Sequence, residues 1–231
     1  MKLGLIIAAG GTGTRAGGPI PKQFHIISGK PILTMTIENI THCLKFDAIV
    51  VTYPVDYFKL LSELLEKSSV KNVELVEGGP TRFDSVWNAL QQHSIQQTDI
   101  VFVHDAVRPF VDKELIIRIY DNAIRHKAVA PGIRLKDTIK EIDKEEFILK
   151  TIDRSNLVAI QTPQAFETGL LISAYEKAIS EKKIFTDEAG VVENFGFRVK
   201  FVEGSETNIK ITTPQDLLLA SLIESIKINS K

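Results

Sequence analysis

The sequence predicts an α/β fold, a Rossmann-like and mostly parallel sheet with helices on both faces and a protruding β-hairpin arm. The first observation is a set of short runs rich in Val and Ile without polar alternation, which is typical of strands buried on both faces. These runs are residues 3–8, 48–53, 73–76 and 100–104. The second observation is that segments with apolar residues at helical spacing lie between and after them. These segments are residues 32–44, 57–65, 81–92 and 113–125. Strands that alternate with helices in this way predict parallel neighbours in one sheet.

The third observation is a change of pattern near residue 135. Residues 136–142 alternate polar and apolar side chains, and residues 147–151 can pair with them across a polar turn. This pattern predicts a β-hairpin with one polar face. Because such a hairpin exposes its edges, we interpret residues 136–152 as a dimerisation arm inserted into a single domain of residues 1–231. The alternative is a hairpin that packs on its own domain.

The rest of the chain returns to mixed helices and strands. The patterns predict, in order, a loop at residues 153–166, helices at 168–180 and 187–195, a strand at 198–202 and a closing helix at 214–226. Pro214 suits the first turn of the closing helix, and Thr213 before it suits the cap.

Composition excludes several classes of protein. With 231 residues, 44% of them hydrophobic, the chain can bury a full core without disulfides. The net charge of −1 argues against a nucleic-acid partner, whose binding normally needs a basic face. Cys43 is the single cysteine, which excludes an internal disulfide and argues against structural zinc. The apolar run at residues 3–9 is too short for a signal peptide or a membrane span, so we expect a cytoplasmic protein without a membrane partner.

A glycine-rich loop follows the first predicted strand. Gly10, Gly11 and Gly13 allow backbone amides to come close to phosphate oxygens and to form an anion-binding nest. Arg15 and Lys22 add two positive charges to the same segment. The loop lacks both the Walker A pattern and the dinucleotide-binding fingerprint. We therefore predict a nucleoside triphosphate site of another kind; the alternative is a turn without function.

Asp105 comes directly after a predicted strand, at the edge where open α/β sheets bind ligands. One carboxylate there suits a Mg²⁺ ion that keeps several waters and bridges triphosphate oxygens. The alternative is an aspartate that caps the next helix. The neighbouring His104 is interpreted as a hydrogen-bonded structural residue and not as a general base.

The glycine loop followed by Pro21-Lys22-Gln23 resembles the signature loop of sugar-phosphate nucleotidyltransferases. Further segments narrow the resemblance to the cytidylyltransferases that act on 2-C-methyl-D-erythritol 4-phosphate in the non-mevalonate isoprenoid pathway. These segments are residues 77–86, 103–109, 153–154 with 161–166, 186–189 and 208–214. Their order and spacing match the family over almost the whole chain, which is far more specific than the loop alone.

The resemblance implies a role for each matching residue. Arg15 and Lys22 would stabilise the transition state, and Asp105 would hold Mg²⁺. The implied nucleotide site consists of Ala9, Gly10, Gly11, Gly13, Gly79 and Ser85. The implied phosphosugar site consists of Arg108, Arg154, Lys210, Thr138, Thr162 and Thr186. If the arm that carries Thr138 crosses to a second chain, part of each active site would come from the partner in a homodimer.

The implied reaction joins CTP and a sugar-alcohol phosphate, with release of pyrophosphate. A phosphate monoester, with a second pKa of about 6, is largely dianionic at neutral pH and needs no general base. Catalysis would then consist of positioning and charge stabilisation. Two alternatives stay open: a cytidylyltransferase that acts on ribitol 5-phosphate, and a non-catalytic nucleotide-binding module. The retained cations and Asp105 argue against the second.

Overall fold

A computed structural model of the chain describes residues 1–11 and 20–229, with side chains through residue 226. In the first half the elements are β1 (Leu3–Ala8), β2 (Ile26–Ile27), β3 (Lys30–Pro31), α1 (Ile32–Cys43), β4 (Ala48–Tyr53), α2 (Phe58–Glu66), β5 (Val73–Glu77), α3 (Arg82–Leu90), α4 (His93–Gln96), β6 (Ile100–Asp105) and α5 (Lys113–His126). In the second half they are β7 (Ala128–Arg134), β8 (Ile139–Ile142), β9 (Ile148–Ile152), β10 (Val158–Ile160), β11 (Gln164–Glu167), α6 (Thr168–Ser180), α7 (Glu188–Phe195), β12 (Lys200–Glu203) and α8 (Pro214–Asn229).

One mixed sheet organises these elements. Its core is parallel, with β5, β4, β1 and β6 as successive neighbours. β11 runs antiparallel between β6 and β7, while β10 pairs antiparallel and β12 pairs parallel with β7. The predicted α/β fold with a mostly parallel core is therefore confirmed.

Helices cover both faces of the sheet, as predicted. Successive side chains of a strand point to opposite faces, so Leu5 and Ile7 join one buried cluster and Ile6 joins the other. The first cluster includes residues of α1, α2 and α5, and the second includes residues of α3, α4, α6 and α7. A third, smaller cluster joins Ala220 of α8 to Ile27 of β2 and to the start of α1.

The prediction omitted β2, β3 and α4, and it was incomplete or wrong in two regions after α5. No strand was predicted where β7 lies, and the segment 153–166, expected to be a loop, contains β10 and β11. β7 includes Pro131 and Gly132, residue types that are depleted in strands. Gly132 is required there because a Cβ would lie 2.9 Å from the carbonyl oxygen of Ala159 on the neighbouring strand. β10 and β11 are too short to show a period, so their strand conformation depends on their neighbours in the sheet.

The predicted hairpin is confirmed as β8 and β9, which form a separate two-stranded antiparallel sheet. Asp143 organises its turn, since the carboxylate accepts hydrogen bonds from the backbone amides of Glu145 and Phe147, both at 2.9 Å. The cap predicted for the last helix is also confirmed, because Thr213 Oγ1 accepts from the amide of Asp216 at 3.3 Å. Within the described residues, no helix has both the length and the apolar character needed to cross a membrane.

The fold gathers the predicted site at one edge of the sheet. Ala8 at the end of β1 is in register with Asp105 at the end of β6, and Tyr53 at the end of β4 is in register with Glu77. The glycine loop, the segment after β5 and Asp105 therefore meet at the carboxyl ends of parallel strands, where open α/β sheets bind ligands.

Candidate active site

Two cavities lie side by side at this edge. The larger, of about 480 Å³, is lined by Lys22, predicted to be catalytic, and by the residues of the predicted nucleotide site that the structure describes: Ala9, Gly10, Gly11, Gly79 and Ser85. The smaller, of about 200 Å³, is lined by four of the residues predicted for the phosphosugar: Arg108, Thr162, Thr186 and Lys210. Arg82, Asp105 and Lys210 line both cavities and form their common wall. Gly13 and Arg15, also predicted for the site, lie outside the described residues.

The first part of the glycine loop is held by two side chains that sequence reasoning did not assign to the site. Thr52 Oγ1 accepts hydrogen bonds from the amides of Ala9 at 2.9 Å and Gly10 at 3.0 Å. Gln23 Nε2 donates to the carbonyl oxygens of Ala9 and Gly11, both at 2.9 Å. The amides of Ala9 and Gly10 are thus bound to Thr52, so these two do not form the predicted phosphate nest; they fix the entry of the loop instead.

Close packing explains the glycines on the nucleotide side of the cleft. A Cβ on Gly10 would lie 2.6 Å from Ser85 Oγ and 2.9 Å from the Cα of Gly78, and a Cβ on Gly79 would lie 2.3 Å from the Cβ of Asp84. Ser85 Oγ accepts from the amide of Gly79 at 3.0 Å and donates to the carbonyl oxygen of Thr81 at 2.9 Å. Ser85 therefore shapes this wall of the cavity through the backbone that it holds.

Asp105 is a buried carboxylate among three cations. Its Oδ1 accepts from Arg82 Nε at 3.0 Å, and its Oδ2 lies 2.9 Å from Lys210 Nζ and 3.4 Å from Arg108 Nε. Burial acts to raise the pKa of Asp105, but the charges of Arg82, Lys210 and Arg108 outweigh it and hold that pKa well below its usual range. Asp105 is therefore ionised at any pH at which the protein would work.

Arg82 extends this cluster to the other side of the cleft. Its two terminal nitrogens donate to the two carboxylate oxygens of Glu188, at 2.7 and 3.0 Å, in a bidentate pair. Glu188 is fully buried, and its Oε1 also accepts from the hydroxyl of Tyr175 at 3.2 Å. Burial acts to lower the pKa of Arg82, but the carboxylates of Glu188 and Asp105 raise it well above its usual value. The guanidinium therefore stays protonated and bridges the two carboxylates.

His104 is a buried structural residue, as predicted. Burial lowers its pKa to about 4, so the imidazole is neutral near pH 7. Its Nε2 lies 3.0 Å from the carbonyl oxygen of Arg108, which can only accept, so Nε2 carries the proton and Nδ1 accepts from the hydroxyl of Thr162 at 2.9 Å. Thr162 Oγ1 in turn accepts from the amide of Asp105 at 3.0 Å. The hydroxyl proton of Thr162 is thus used within the protein, and Thr162 can offer a ligand only an acceptor.

Arg108 and Lys210 differ in how tightly they are held. Arg108 is buried, and its Nη1 donates to the carbonyl oxygen of Asn208 at 2.8 Å. Asn208 is also fully buried, donates through Nδ2 to the carbonyl oxygen of Thr162, and has an Oδ1 without a partner in the described part of the chain. The Lys210 side chain is 41% exposed and lies on the cavity side of Asp105. Lys210 is therefore the cation that can most easily leave Asp105 for a ligand.

Thr138 and Arg154 line neither cavity. Thr138 is exposed directly before β8, and Arg154 is exposed two residues after the end of β9, with its Nη1 donating to the carbonyl oxygen of Lys136. The structure thus places these two predicted phosphosugar residues together at the base of the arm and apart from the cleft of their own chain. Thr186, by contrast, lines the smaller cavity, next to Asp187, which caps α7 by accepting from the amide of Gly190.

The donor set at Asp105 fits a metal ion that arrives with a nucleotide. Mg²⁺ is commonly held by one or two carboxylates together with substrate phosphates and water. Among residues 1–11 and 20–229, no group of three or more His, Cys, Asp or Glu residues could hold an ion by itself. Three cations around two carboxylates, Asp105 and Glu188, also leave the cluster with an excess positive charge that repels a bare ion. Triphosphate oxygens would reverse that balance.

Comparisons with known proteins agree with this geometry. The sequence model of the 2-C-methyl-D-erythritol 4-phosphate cytidylyltransferase family matches residues 3–225. A relative of that name from Clostridium botulinum (strain Eklund 17B / Type B) is 43% identical over 94% of this chain and 97% of its own.

Solved structures show the same likeness. The 4-diphosphocytidyl-2C-methyl-D-erythritol synthase of Anaerococcus prevotii superposes with a TM-score of 0.84 at 31% identity, covering 97% of this chain and 98% of that one. The 2-C-methyl-D-erythritol 4-phosphate cytidylyltransferase of Francisella tularensis superposes with a TM-score of 0.80 at 34% identity, covering 96% and 98%. A match of this extent in sequence and fold, around a cleft built from the predicted residues, shows that the chain belongs to the 2-C-methyl-D-erythritol 4-phosphate cytidylyltransferase family.

Proposed function

We propose that this chain transfers CMP from CTP to 2-C-methyl-D-erythritol 4-phosphate in the non-mevalonate route to isoprenoid precursors, giving 4-CDP-2-C-methyl-D-erythritol and pyrophosphate. The observation that carries the proposal is the common wall of Arg82, Asp105 and Lys210 between two cavities. A triphosphate in the larger cavity and a phosphate monoester in the smaller one would meet at this charged wall. Membership of the family supports the same reaction.

The mechanism follows from the charges that line the cleft. An oxygen of the dianionic substrate phosphate forms a bond to the α-phosphorus of CTP, while the bond from that phosphorus to the bridging oxygen of the β-phosphate breaks and pyrophosphate leaves. Lys210 and Arg108 would bind the attacking phosphate, because both cations line the smaller cavity. Lys22, which lines the larger cavity, would stabilise the charge that develops on the five-coordinate phosphorus. Arg15 is assigned the same role from the resemblance.

Mg²⁺ is the divalent ion that we expect with CTP. Asp105 would hold it together with the triphosphate, and the bound ion would neutralise phosphate charge. The chain's own contribution is to keep Asp105 ionised and oriented through Arg82 and through the hydrogen bond from its amide to Thr162.

We further propose that the enzyme is a homodimer in which the arm of one chain completes the site of the other. The arm is exposed, and Phe147, Ile148 and Leu149 present 67%, 64% and 58% of their surfaces to solvent. Such a run of apolar side chains on a two-stranded sheet with open edges favours burial against a second protein surface. Thr138 and Arg154 lie at its base and line neither of the two cavities described for their own chain. The cytoplasmic location stays a prediction.

The first experiment measures pyrophosphate release from purified protein. CTP with 2-C-methyl-D-erythritol 4-phosphate should be the productive pair, because the family to which the chain belongs is named for this substrate. The same assay is run with ribitol 5-phosphate, with the other three nucleoside triphosphates, and with EDTA in excess over Mg²⁺. EDTA should abolish turnover, and magnesium should restore it.

Each measurement in this assay tests a different part of the proposal. Turnover with ribitol 5-phosphate in place of the methylerythritol compound would overturn the substrate assignment but leave cytidylyl transfer intact. Binding of CTP, seen as a rise in Tm, without release of pyrophosphate from either alcohol phosphate would indicate a non-catalytic nucleotide-binding module. Full activity in EDTA would remove Mg²⁺ from the proposal.

A further inference from the structure

Arg82 is the residue through which the two cavities are joined, and the proposed chemistry leaves it without a substrate to bind. It is the first residue of α3, and its guanidinium donates from Nε to Asp105 and from both terminal nitrogens to Glu188. Asp105 ends β6 and Glu188 begins α7. One side chain therefore connects three elements that contribute to the walls of the cleft.

The helices do not need this ion pair in order to form. α3 is capped by Thr81 and Asp84, and α7 is capped by Asp187. Both helices are packed by apolar residues of the same buried cluster, among them Val86 and Val191. A buried ion pair is also weak evidence for stability, because apolar residues of similar volume often stabilise a protein as well or better. Stability alone therefore does not explain the pair between Arg82 and fully buried Glu188.

The position of the pair points instead to alignment of the two walls. The first turn of α3 carries Ser85, which holds the Gly79 segment of the nucleotide wall. The first turn of α7 directly follows Thr186, which lines the phosphosugar cavity. Because Arg82 bridges these turns and also contacts Asp105, it sets the spacing between the walls at the point where the two phosphates would react.

The charges around Asp105 indicate a second function for Arg82. Lys210 and Arg82 contact different oxygens of Asp105. When Lys210 moves to a substrate phosphate, Asp105 keeps its contacts with Arg82 and Arg108 and is not left as an unpaired buried charge. Without Arg82, Asp105 would hold Lys210 more strongly, and the phosphosugar would compete less well for it.

We propose that Arg82, itself held by Glu188, is a positioning residue that aligns the nucleotide wall with the phosphosugar wall and frees Lys210 to bind the substrate phosphate. This inference rests on the proposed function, and it assigns a role to a residue outside the contacts with substrate that the resemblance implies.

The test compares Arg82→Met with the double variant Arg82→Met/Glu188→Gln. The single variant leaves Glu188 as a buried charge without a partner, so its Tm should fall by on the order of 10 °C. The double variant removes that charge and keeps an acceptor for the Tyr175 hydroxyl, so it should regain most of the lost Tm. Its kcat should nevertheless stay lower by on the order of 10²-fold, because misalignment of the reacting groups by about 1 Å has an effect of that size.

The KM values for the two substrates distinguish a positioning role of Arg82 from simple stabilisation of the fold. In the double variant the KM for the alcohol phosphate should rise more than the KM for CTP, since Lys210 is the cation retained by Asp105. Arg125→Met is the matched control: Arg125 is exposed near the end of α5, outside both cavities, and its loss should change neither Tm nor kcat.

Recovery of kcat together with Tm in the double variant would overturn the proposal and leave Arg82 a purely structural role. So would equal changes in the two KM values with an unchanged kcat. If the wild-type protein itself transfers no CMP, the proposed function fails first and this inference with it. A fully active wild type beside a fully active double variant removes only the role of Arg82.

Discussion

The cleft and the arm of this protein differ in whether their side chains are buried or exposed. In the cleft, Asp105 and Glu188 are buried and bound by cations that the same chain supplies. In the arm, the side chains of β8 and β9 are largely exposed, and within the described residues these two strands pair with each other alone. One chain therefore forms both cavities at the edge of the sheet, whereas the strands of the arm expose most of their side chains, as expected if the proposed dimer contact covers them.

The residues predicted for the phosphosugar site are divided between the cleft and the arm. Arg108 and Lys210 are at the cleft, within reach of Asp105, whereas Thr138 and Arg154 are at the base of the arm. Residues that share one predicted role are thus separated in the single chain. A two-fold symmetric dimer in which each arm reaches the other cleft would bring them together, since an isologous interface uses the same contact twice.

Subunit complementation gives the largest expected effect. Lys22→Ala and Arg154→Ala should each lower kcat by on the order of 10²–10³-fold as homodimers, because each removes a charge from phosphate in the transition state. If arms cross, a heterodimer of the two variants contains one intact site. Unfolding and refolding an equal mixture should therefore restore about one quarter of wild-type activity, given random pairing of subunits in symmetric dimers.

The control mixture combines Lys22→Ala with Lys210→Ala. Both residues belong to the cleft of one chain, so every heterodimer would carry two damaged sites and activity should stay low. No recovery in the mixture of Lys22→Ala and Arg154→Ala would show that each arm stays with its own cleft, and the contrast between the two regions would then lose its functional meaning.

Phe147→Asp gives the next largest effect. Phe147 is 67% exposed in the single chain, so a charge there should not disturb the fold, but it would oppose burial in a dimer interface. We expect sedimentation velocity to show a shift from dimer towards monomer, and kcat to fall in parallel as dimers are lost. Val55→Asp is the matched control, because Val55 is 63% exposed and lies outside the arm and both cavities. An unchanged dimer in Phe147→Asp would contradict the assigned interface.

The smallest expected effect is that of removing an exposed ion pair in the arm, which we compare with the buried pair in the cleft. Glu141 and Lys150 face each other across the arm at 2.9 Å, with side chains 48% and 63% exposed. Glu141→Gln should lower the free energy of unfolding by less than about 1 kcal/mol, because water and salt screen exposed pairs. Urea denaturation measures it. A loss above about 3 kcal/mol, the size expected for a broken buried pair, would show that the arm pair is buried in the assembled protein.

The predicted elements agree with the structure where the local pattern is strong. The bounds of β1, β4 and α6 agree with those predicted, and the other predicted helices differ by a few residues at their ends. Long apolar runs and helical spacing indicate directly which residues are buried. Such elements can therefore be predicted without knowing which other elements they pack against. β7 was not predicted because Pro131 and Gly132 interrupt its pattern, and β11 was not predicted because it has four residues. The pairing of both strands depends on partners distant in the chain.

The same distinction applies to the site. The glycine loop, Asp105, Arg108, Thr162, Thr186 and Lys210 were each found because they lie in short segments with a recognisable order of residues. Thr52, Gln23, Arg82 and Glu188 were not assigned a role, since a threonine in a strand or a glutamate at a helix start has many ordinary uses. Arg82 and Glu188 lie within segments that carried the family resemblance, which was the available signal.

The sequence by itself therefore determined most of the elements that form, the edge of the sheet at which the predicted site residues gather and the family that the chain resembles, because these properties depend on local periodicity and on residues close together in the chain. Only the tertiary structure decided how the charges pair. Arg82 meets Asp105 from 23 residues away and Glu188 from 106, and Thr52 reaches Gly10 across 42. Such contacts are set by the order of strands in the sheet, and the strength of each ion pair is set by how deeply the surrounding layers bury it.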